Sequence, residues 1–208
     1  MSDRDGRIYG LFDSLATQIR AAELRSVGFA GAVFGDGAST LALGTSLSLA
    51  ALGAGRVLLV DANSIRPSLT SDAGVASRPG LAEVLRGDAD LGRVVVSTGR
   101  PHLAFLGAGA VHGERAPIGA LTLFLEHAQS HFDTVVADLP PALASESVVM
   151  PWAASLQQLF VVVRSGVTPL AVVRRAVDEV ALDRAQVILN RTSARSEMLS
   201  AQHRVAMT

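Results

Sequence analysis

The chain has 208 residues, which fits one large domain, and its net charge of −1 excludes the strongly basic surface of most nucleic-acid-binding proteins. It contains no cysteine, so a disulfide framework and a thiolate nucleophile are both excluded. Hydrophobic residues make up 49% of the chain and aromatic residues only 4%, so the core has to be built mainly from Ala, Val and Leu.

No apolar stretch of the sequence suggests export or membrane insertion. The amino-terminal residues lack the apolar core of a signal peptide. The longest apolar stretch, 41–55, is short, contains several glycine and hydroxyl residues, and is followed by Arg56. We therefore expect a cytoplasmic protein without a membrane span.

The first third of the chain predicts a helix followed by a strand, turn, helix and strand unit. Apolar residues at helical spacing predict an amphipathic helix over 8–24, packed on a sheet edge or on a partner. An apolar run predicts a strand over 27–33, glycines interrupt it at 34–40, and a helix follows. A second buried strand, 57–60, places Asp61 at its carboxyl end.

The rest of the chain continues to alternate strands and helices after a polar loop at 63–79. The predicted elements are a short helix at 81–86, strands at 94–97 and 103–106, a helix opened by Pro117 at 117–131, a strand at 134–137, a helix at 146–154, a strand at 159–163, a helix at 168–181 and a strand at 187–189. Uniformly apolar strands separated by helices predict an α/β, doubly wound, mostly parallel sheet. We assign 1–192 to this single domain and 193–208 to a polar tail.

Polar residues follow several of the predicted strands. In a parallel sheet covered by helices, ligands bind at the carboxyl ends of the strands. We therefore expect the turn at 35–40 to share one edge of the sheet with Asp61, Asp138 and Asn190.

The turn at 34–40 has the shape of a phosphate loop but lacks its lysine. A working phosphate loop surrounds the phosphates with backbone N–H groups, adds a lysine for the terminal phosphates and follows it with a hydroxyl that holds magnesium. Ser39 and Thr40 occupy the hydroxyl positions, which places Ala38 at the lysine position. All 18 residues counted as Lys or Arg are arginine, so no lysine elsewhere can replace it.

Three groups of segments carry a resemblance to a known family. They are VLLVDANSIRPSL with GLAEVLRGDA, FDTVVADLPPAL, and VVVRSGVTPLAVVRRAV with VILNR. Over roughly Ile8 to Arg191 the chain resembles the P-loop domain of bacterial tyrosine kinases of capsular and exopolysaccharide synthesis. These kinases are relatives of the septum-positioning and plasmid-partition ATPases, so the resemblance implies a P-loop NTPase-like fold.

The chain departs from this family's pattern at the positions that would carry the chemistry. Ala38 corresponds to the family's phosphate-loop lysine, and Leu139 to the hydroxyl residue after its distal aspartate. Asn63 and Ile65 correspond to the second aspartate and the arginine of its DxDxR motif. The resemblance therefore implies a degenerate, pseudokinase-like member without catalytic residues.

The family's assembly features are also altered. Its charged pattern for ring assembly corresponds here to Gly10, Asp13 and Ala16, so ring assembly is not expected. Its tyrosine-rich tail has no counterpart, because the only tyrosine is Tyr9. The partner that the resemblance implies is a membrane-embedded polysaccharide chain-length regulator or another polysaccharide-assembly protein.

The resemblance implies a nucleotide site that binds ATP or ADP with magnesium weakly at best. Asn190 matches the family's adenine-side asparagine, and Ser39, Thr40, Asp61 and Asp138 are the candidate magnesium ligands. The complete set of nucleotide-binding candidates is Gly35, Asp36, Gly37, Ala38, Ser39, Thr40, Asp61, Arg66, Asp138 and Asn190.

The sequence leaves other interpretations open. The turn at 35–40 also fits a simple strand-to-helix turn, and Asp61 and Asp138 also fit residues that begin loops. An active but atypical ATPase or tyrosine kinase would use Arg66 or a partner's residue in place of the lysine, and a partition or positioning ATPase is a third possibility. His127 and His131 are spaced like metal ligands on a helix but have no nearby third ligand, so we predict no metal site there.

Overall fold

A computed structural model describes residues 3–53, 55–110, 118–180 and 185–191. Within these ranges the helices are α1 Asp3–Ala21, α2 Ala38–Ala51, α3 Ser68–Asp72, α4 Leu81–Arg86, α5 Leu91–Val94, α6 Ile118–His131, α7 Glu146–Ser155 and α8 Leu170–Val180. The strands are β1 Ser26–Gly31, β2 Val57–Asp61, β3 Val96–Ser97, β4 Leu103–Leu106, β5 Thr134–Leu139, β6 Gln158–Arg164 and β7 Ala185–Asn190. The predicted tail at 193–208 and its boundary lie outside the described residues, as does Pro117.

The strands form one seven-stranded sheet in the order β3-β4-β2-β5-β1-β6-β7. All neighbouring pairs are parallel except β3 with β4. The order reverses direction around β1, so helices cover both faces and the sheet is doubly wound. The predicted α/β fold class is confirmed.

Alternate residues of the buried strands point into two separate hydrophobic cores. In β2, Val57 and Leu59 belong to the core under α1 and α2, whereas Leu58 and Val60 belong to the core under α6, α7 and α8. This arrangement explains why the strand reads as an unbroken apolar run, since neither of its faces meets water. Packing between the two cores fixes the strands relative to one another, so their carboxyl ends form one edge of the sheet.

The structure differs from the sequence predictions in three places. The predicted polar loop at 63–79 contains α3, and Val94 ends the short helix α5 instead of starting a strand. The Asp90 side chain accepts a hydrogen bond from the Gly92 amide at 2.8 Å, which caps α5 and explains the helix. The first helix begins and ends earlier than predicted, at Asp3 and Ala21, and packs on α2.

The contact between α1 and α2 depends on a glycine. An ideal Cβ on Gly44 would lie 2.6 Å from ring atoms of Phe12, closer than packed atoms allow. We expect Gly44→Ala to lower the free energy of unfolding by about 1–3 kcal/mol through this clash, although alanine gains about 1 kcal/mol in helix propensity. Chemical denaturation of the variant measures the net change in the free energy of unfolding from the clash and the helix propensity.

A double-mutant cycle separates these two effects. In a Phe12→Ala background the ring is absent, so Gly44→Ala should be neutral or stabilising, by up to about 1 kcal/mol. Equal destabilisation in both backgrounds would contradict the proposed contact.

Candidate functional site

The predicted site residues meet at the carboxyl edge of the sheet. The loop after β1 leads into α2, Asp61 ends β2, and Asn190 ends β7. Asp138 lies in β5 next to Asp61, because the Cα atoms of the two aspartates are register partners in neighbouring parallel strands. The sequence therefore predicted correctly that these positions share one edge.

The loop from Gly35 to Gly37 has the backbone of an anion cradle. Gly35 has φ of 88° and Gly37 has φ of 98°, a left-handed conformation that glycine adopts without strain. Within the described part of the chain, the amides of Gly35, Asp36 and Gly37 donate to no protein acceptor. These N–H groups, together with the amino terminus of α2, are suited to bind an anion.

Asp61 is fully buried and well supplied with hydrogen-bond donors. Its Oδ2 accepts from the Thr70 amide at 2.8 Å and from the Thr70 hydroxyl at 2.7 Å. Its Oδ1 accepts from the Asn63 amide at 3.2 Å. Burial nevertheless raises the pKa of Asp61, and the hydrogen bonds from Thr70 and Asn63 only partly offset this effect.

Asp138 is equally buried but lacks this support. In the part of the chain that the structure describes, neither of its carboxylate oxygens has a hydrogen-bond partner. Burial is the main reason that the pKa of Asp138 rises to about 7; the Ser39 hydroxyl lowers it and the Asp61 carboxyl raises it by smaller amounts. The Ser39 hydroxyl is therefore a neighbour of Asp138, although the contact lacks the geometry of a full hydrogen bond. An unpaired buried carboxyl of this kind favours either a proton or a cation.

Comparisons with known proteins match the chain to a polysaccharide-biosynthesis protein in sequence and to bacterial kinase domains in fold. No protein-family model matches the chain. It is 33% identical over 183 residues to the succinoglycan biosynthesis transport protein ExoP of Rhizobium meliloti; the match covers 84% of this chain and 23% of ExoP. The chain thus spans about a quarter of that relative's length.

Solved structures agree with this match. The VpsO kinase domain superposes with a TM-score of 0.75 at 25% identity, covering 92% of this chain and 100% of that domain. The BceF tyrosine kinase domain superposes with a TM-score of 0.71 at 26% identity, covering 86% of this chain and 76% of that one. The chain belongs to the P-loop domain family of the bacterial tyrosine kinases.

The other residues that the resemblance points to differ in how deeply they are buried. Ala38, at the family's lysine position, is buried as the first residue of α2, and Ser39 is half-buried. Thr40 and Arg66 are exposed. Asn63 is buried, and its Oδ1 accepts from the Arg66 amide at 3.0 Å. Ser39 thus lies beside Asp138, which neighbours Asp61, whereas Thr40 and Arg66 are exposed.

Two threonines that the sequence analysis missed support the site. Thr70 donates to Asp61, and its Oγ1 accepts from the Ala108 amide at 2.9 Å, which ties α3 to the segment after β4. Thr168 contacts the phosphate loop through Asp36. Neither threonine lies in a recognisable spacing from its partner, since sequence separations of 9 and 132 residues carry no local pattern.

The described residues contain neither a cluster of metal-binding side chains nor a helix that could span a membrane. Over the described ranges, no group of three or more His, Cys, Asp or Glu side chains could hold a metal ion. His127 and His131 lie with ring centroids 5.4 Å apart on α6, without a third such residue. Of the helices described, none is both long and apolar enough to cross a membrane.

Proposed function

We propose that this bacterial tyrosine kinase-like domain binds nucleotide weakly, does not turn it over efficiently, and acts as a binding or regulatory subunit in exopolysaccharide or capsule biosynthesis and export. One observation carries the proposal. Among the described residues, the amides of Gly35, Asp36 and Gly37 donate to no protein acceptor, while Ala38, which the resemblance places at the position of the phosphate-binding lysine, is buried.

The missing lysine affects turnover more than binding. Phosphoryl transfer relies on positioning and on cations that offset charge at the transferred phosphate. A charge-assisted hydrogen bond contributes about 1.5–3 kcal/mol to binding, and the transition state, which carries spread negative charge, depends on it more heavily. Backbone donors alone would therefore retain some affinity for a phosphate group while supporting little chemistry.

The family implies a magnesium ion bound with the nucleotide, and the residues present fit that ion in part. Asp138 offers two unpaired carboxylate oxygens, and the Ser39 hydroxyl is its neighbour. Hard oxygen ligands of this kind suit magnesium, which would offset phosphate charge at the cradle. The Oδ2 of Asp61 already accepts from the Thr70 hydroxyl, so Asp61 would hold magnesium indirectly, through a water molecule. Thr40 is exposed and would contribute least to the magnesium site.

The proposed partner is a membrane-embedded component of polysaccharide assembly. The match to ExoP supports this partner, because ExoP is named a biosynthesis transport protein and this chain corresponds to about a quarter of its length. A domain of this type would act by contacting the membrane-embedded part of such a system, which would be a chain-length regulator or a related protein.

Purified protein should show weak binding of ATP with magnesium in a calorimetric titration, and no phosphate release above a buffer control. The physical reason is that Ala38 and Asn63 replace the two charged groups expected closest to the phosphates and the metal. Radiolabel should also fail to appear on Tyr9, the only tyrosine. Steady phosphate release that Asp61→Ala abolishes would contradict the proposal.

An atypical ATPase is the second candidate, because Arg66 is exposed and free of ion pairs among the described residues. If Arg66 substitutes for the lysine, Arg66→Ala should abolish any phosphate release that is measured. If release is absent in both proteins, the binding role is favoured.

A further inference from the structure

Two other segments of the carboxyl edge, the β6–α8 turn and the end of β7, contact one residue of the phosphate loop, Asp36. Within the loop itself, the Val33 amide donates a hydrogen bond to Asp36 Oδ2 at 3.0 Å. The Thr168 hydroxyl, in the turn between β6 and α8, donates to Asp36 Oδ1 at 2.7 Å. Asn190, at the end of β7, donates from Nδ2 to the Asp36 backbone oxygen at 2.8 Å.

The carboxylate of Asp36 depends on these donors. Asp36 is only 2% exposed, so a donor that is lost cannot be replaced freely by water. Val33 supplies a donor from inside the loop, whereas Thr168 supplies one from a separate element. The conformation of the loop is therefore tied to the β6–α8 turn.

Thr168 is itself fixed on the sheet. Its Oγ1 accepts from the amide of Arg164, the last residue of β6, at 3.0 Å, and its amide donates to the Arg164 oxygen at 3.0 Å. The hydroxyl hydrogen is then directed to Asp36, because the same oxygen already accepts from Arg164. A chain of hydrogen bonds thus runs from β6 through Thr168 and Asp36 to Val33.

Asn190 contacts the same loop from the other side. The ideal position of a Cβ on Gly37 lies 2.3 Å from Asn190 Nδ2, so the amide packs directly against the glycine backbone. The Oδ1 of Asn190 accepts from the Arg191 amide at 2.8 Å. In this structure Asn190 therefore holds the loop, beyond the adenine-side role that the family resemblance implies.

We propose that Thr168 is a positioning residue that holds the phosphate loop in its anion-accepting shape through Asp36. The loop then keeps its cradle without help from a lysine or a bound phosphate. Movement of the β6–α8 turn, and of α8 that follows it, would change the affinity of the cradle. The binding part of this inference rests on the proposed nucleotide function, whereas the positioning part concerns the protein alone.

The matched variants are Thr168→Val, which keeps the side-chain shape without the hydroxyl, and Thr168→Ser, which keeps the hydroxyl. Hydrogen exchange of the Val33 amide, measured without ligand, should be about tenfold faster in Thr168→Val relative to amides of β5, and unchanged in Thr168→Ser. Affinity for ADP with magnesium, measured by calorimetry, should fall by about tenfold in the valine variant and be restored by serine.

The exchange rate of the Val33 amide tests the positioning role of Thr168, and the ADP titration tests the proposed nucleotide binding, so the two proposals can fail separately. If the wild-type protein binds no ADP, the nucleotide function fails, and the exchange of Val33 still decides the role of Thr168. If Thr168→Val exchanges like the wild type at Val33, or if exchange rises equally at all amides, the positioning role is overturned. Should the valine variant not fold, Thr168→Ala, which also lacks the hydroxyl, provides the comparison with serine.

Discussion

Asp138→Asn should stabilise the protein at pH 8 by about 1–3 kcal/mol and leave its stability almost unchanged at pH 5. Asp138 is fully buried with both carboxylate oxygens unpaired among the described residues. Its charge therefore has to be carried without compensation once it ionises, and asparagine removes that charge at nearly constant shape.

The pH dependence follows from the direction of the pKa shift. The pKa of Asp138 rises from 3.8 to about 7 in the folded protein, so between these values the folded state holds a proton that the unfolded state has lost. The stabilisation from this proton is complete below about pH 4 and is lost as the pH rises to about 7. The stabilisation lost between these two pH values amounts to roughly 4 kcal/mol. Asparagine avoids this loss, but its imperfectly paired amide costs about 1–3 kcal/mol in its place.

Urea denaturation of both proteins at pH 5 and pH 8 tests this expectation. Asp178→Asn, at an exposed position on α8, is the control and should change stability equally at both values. An Asp138→Asn effect of the same size and sign at pH 5 and pH 8 would show that Asp138 is ionised throughout. Because Asp61 lies beside it and its pKa is also raised, the measured transition belongs to the pair.

Most of the fold could be predicted from the sequence because its signals are local. The run at 57–60 is apolar on both faces, which is typical of a strand buried between helix layers, and it forms β2 at Val57–Asp61. Strands of this type end at one edge, so the meeting of Asp61 with Asp138 followed from the fold class. The weak predictions were at short elements such as α3 and α5, whose few residues carry little periodic pattern.

The internal support of the site could not be predicted, because it depends on contacts between distant segments. Thr168 reaches Asp36 only after β6 has been placed beside β1 in the sheet. Asp138 and Asp61 are alike in sequence context, since each follows an apolar run, yet only Asp61 receives the hydroxyl of a threonine from α3. The contrast between the two carboxyl groups is therefore a property of tertiary structure.

Ala38→Lys should raise affinity for ATP with magnesium by about tenfold to a hundredfold, the largest change in binding that a single substitution is expected to produce here. The cradle already presents the free amides of Gly35, Asp36 and Gly37 in the described structure, so an ammonium group supplies the missing charge. Efficient turnover should not return, because Asn63 and Leu139 still differ from the family pattern.

The cost of the substitution lies in packing. Ala38 is only 8% exposed and belongs to the core under α1 and α2, so the lysine stem has to follow the loop out of that core. Ala38→Met, of similar length without charge, is the matched control for this cost. Phe34, which is 51% exposed at the entrance to the loop, is the residue placed to obstruct a ligand.

Thermal denaturation with and without nucleotide distinguishes the outcomes. A ligand present at a hundred times its dissociation constant stabilises the folded state by about 2.7 kcal/mol. The melting temperature of the lysine variant should therefore rise with nucleotide by more than that of the wild type, whereas the methionine variant should shift no more than the wild type. If the folded lysine variant shows no shift at millimolar ATP, the cradle does not accept phosphate even with its charge restored. The loop between β1 and α2 would then serve structure or partner contact, and the free amides of Gly35 to Gly37 would need another acceptor.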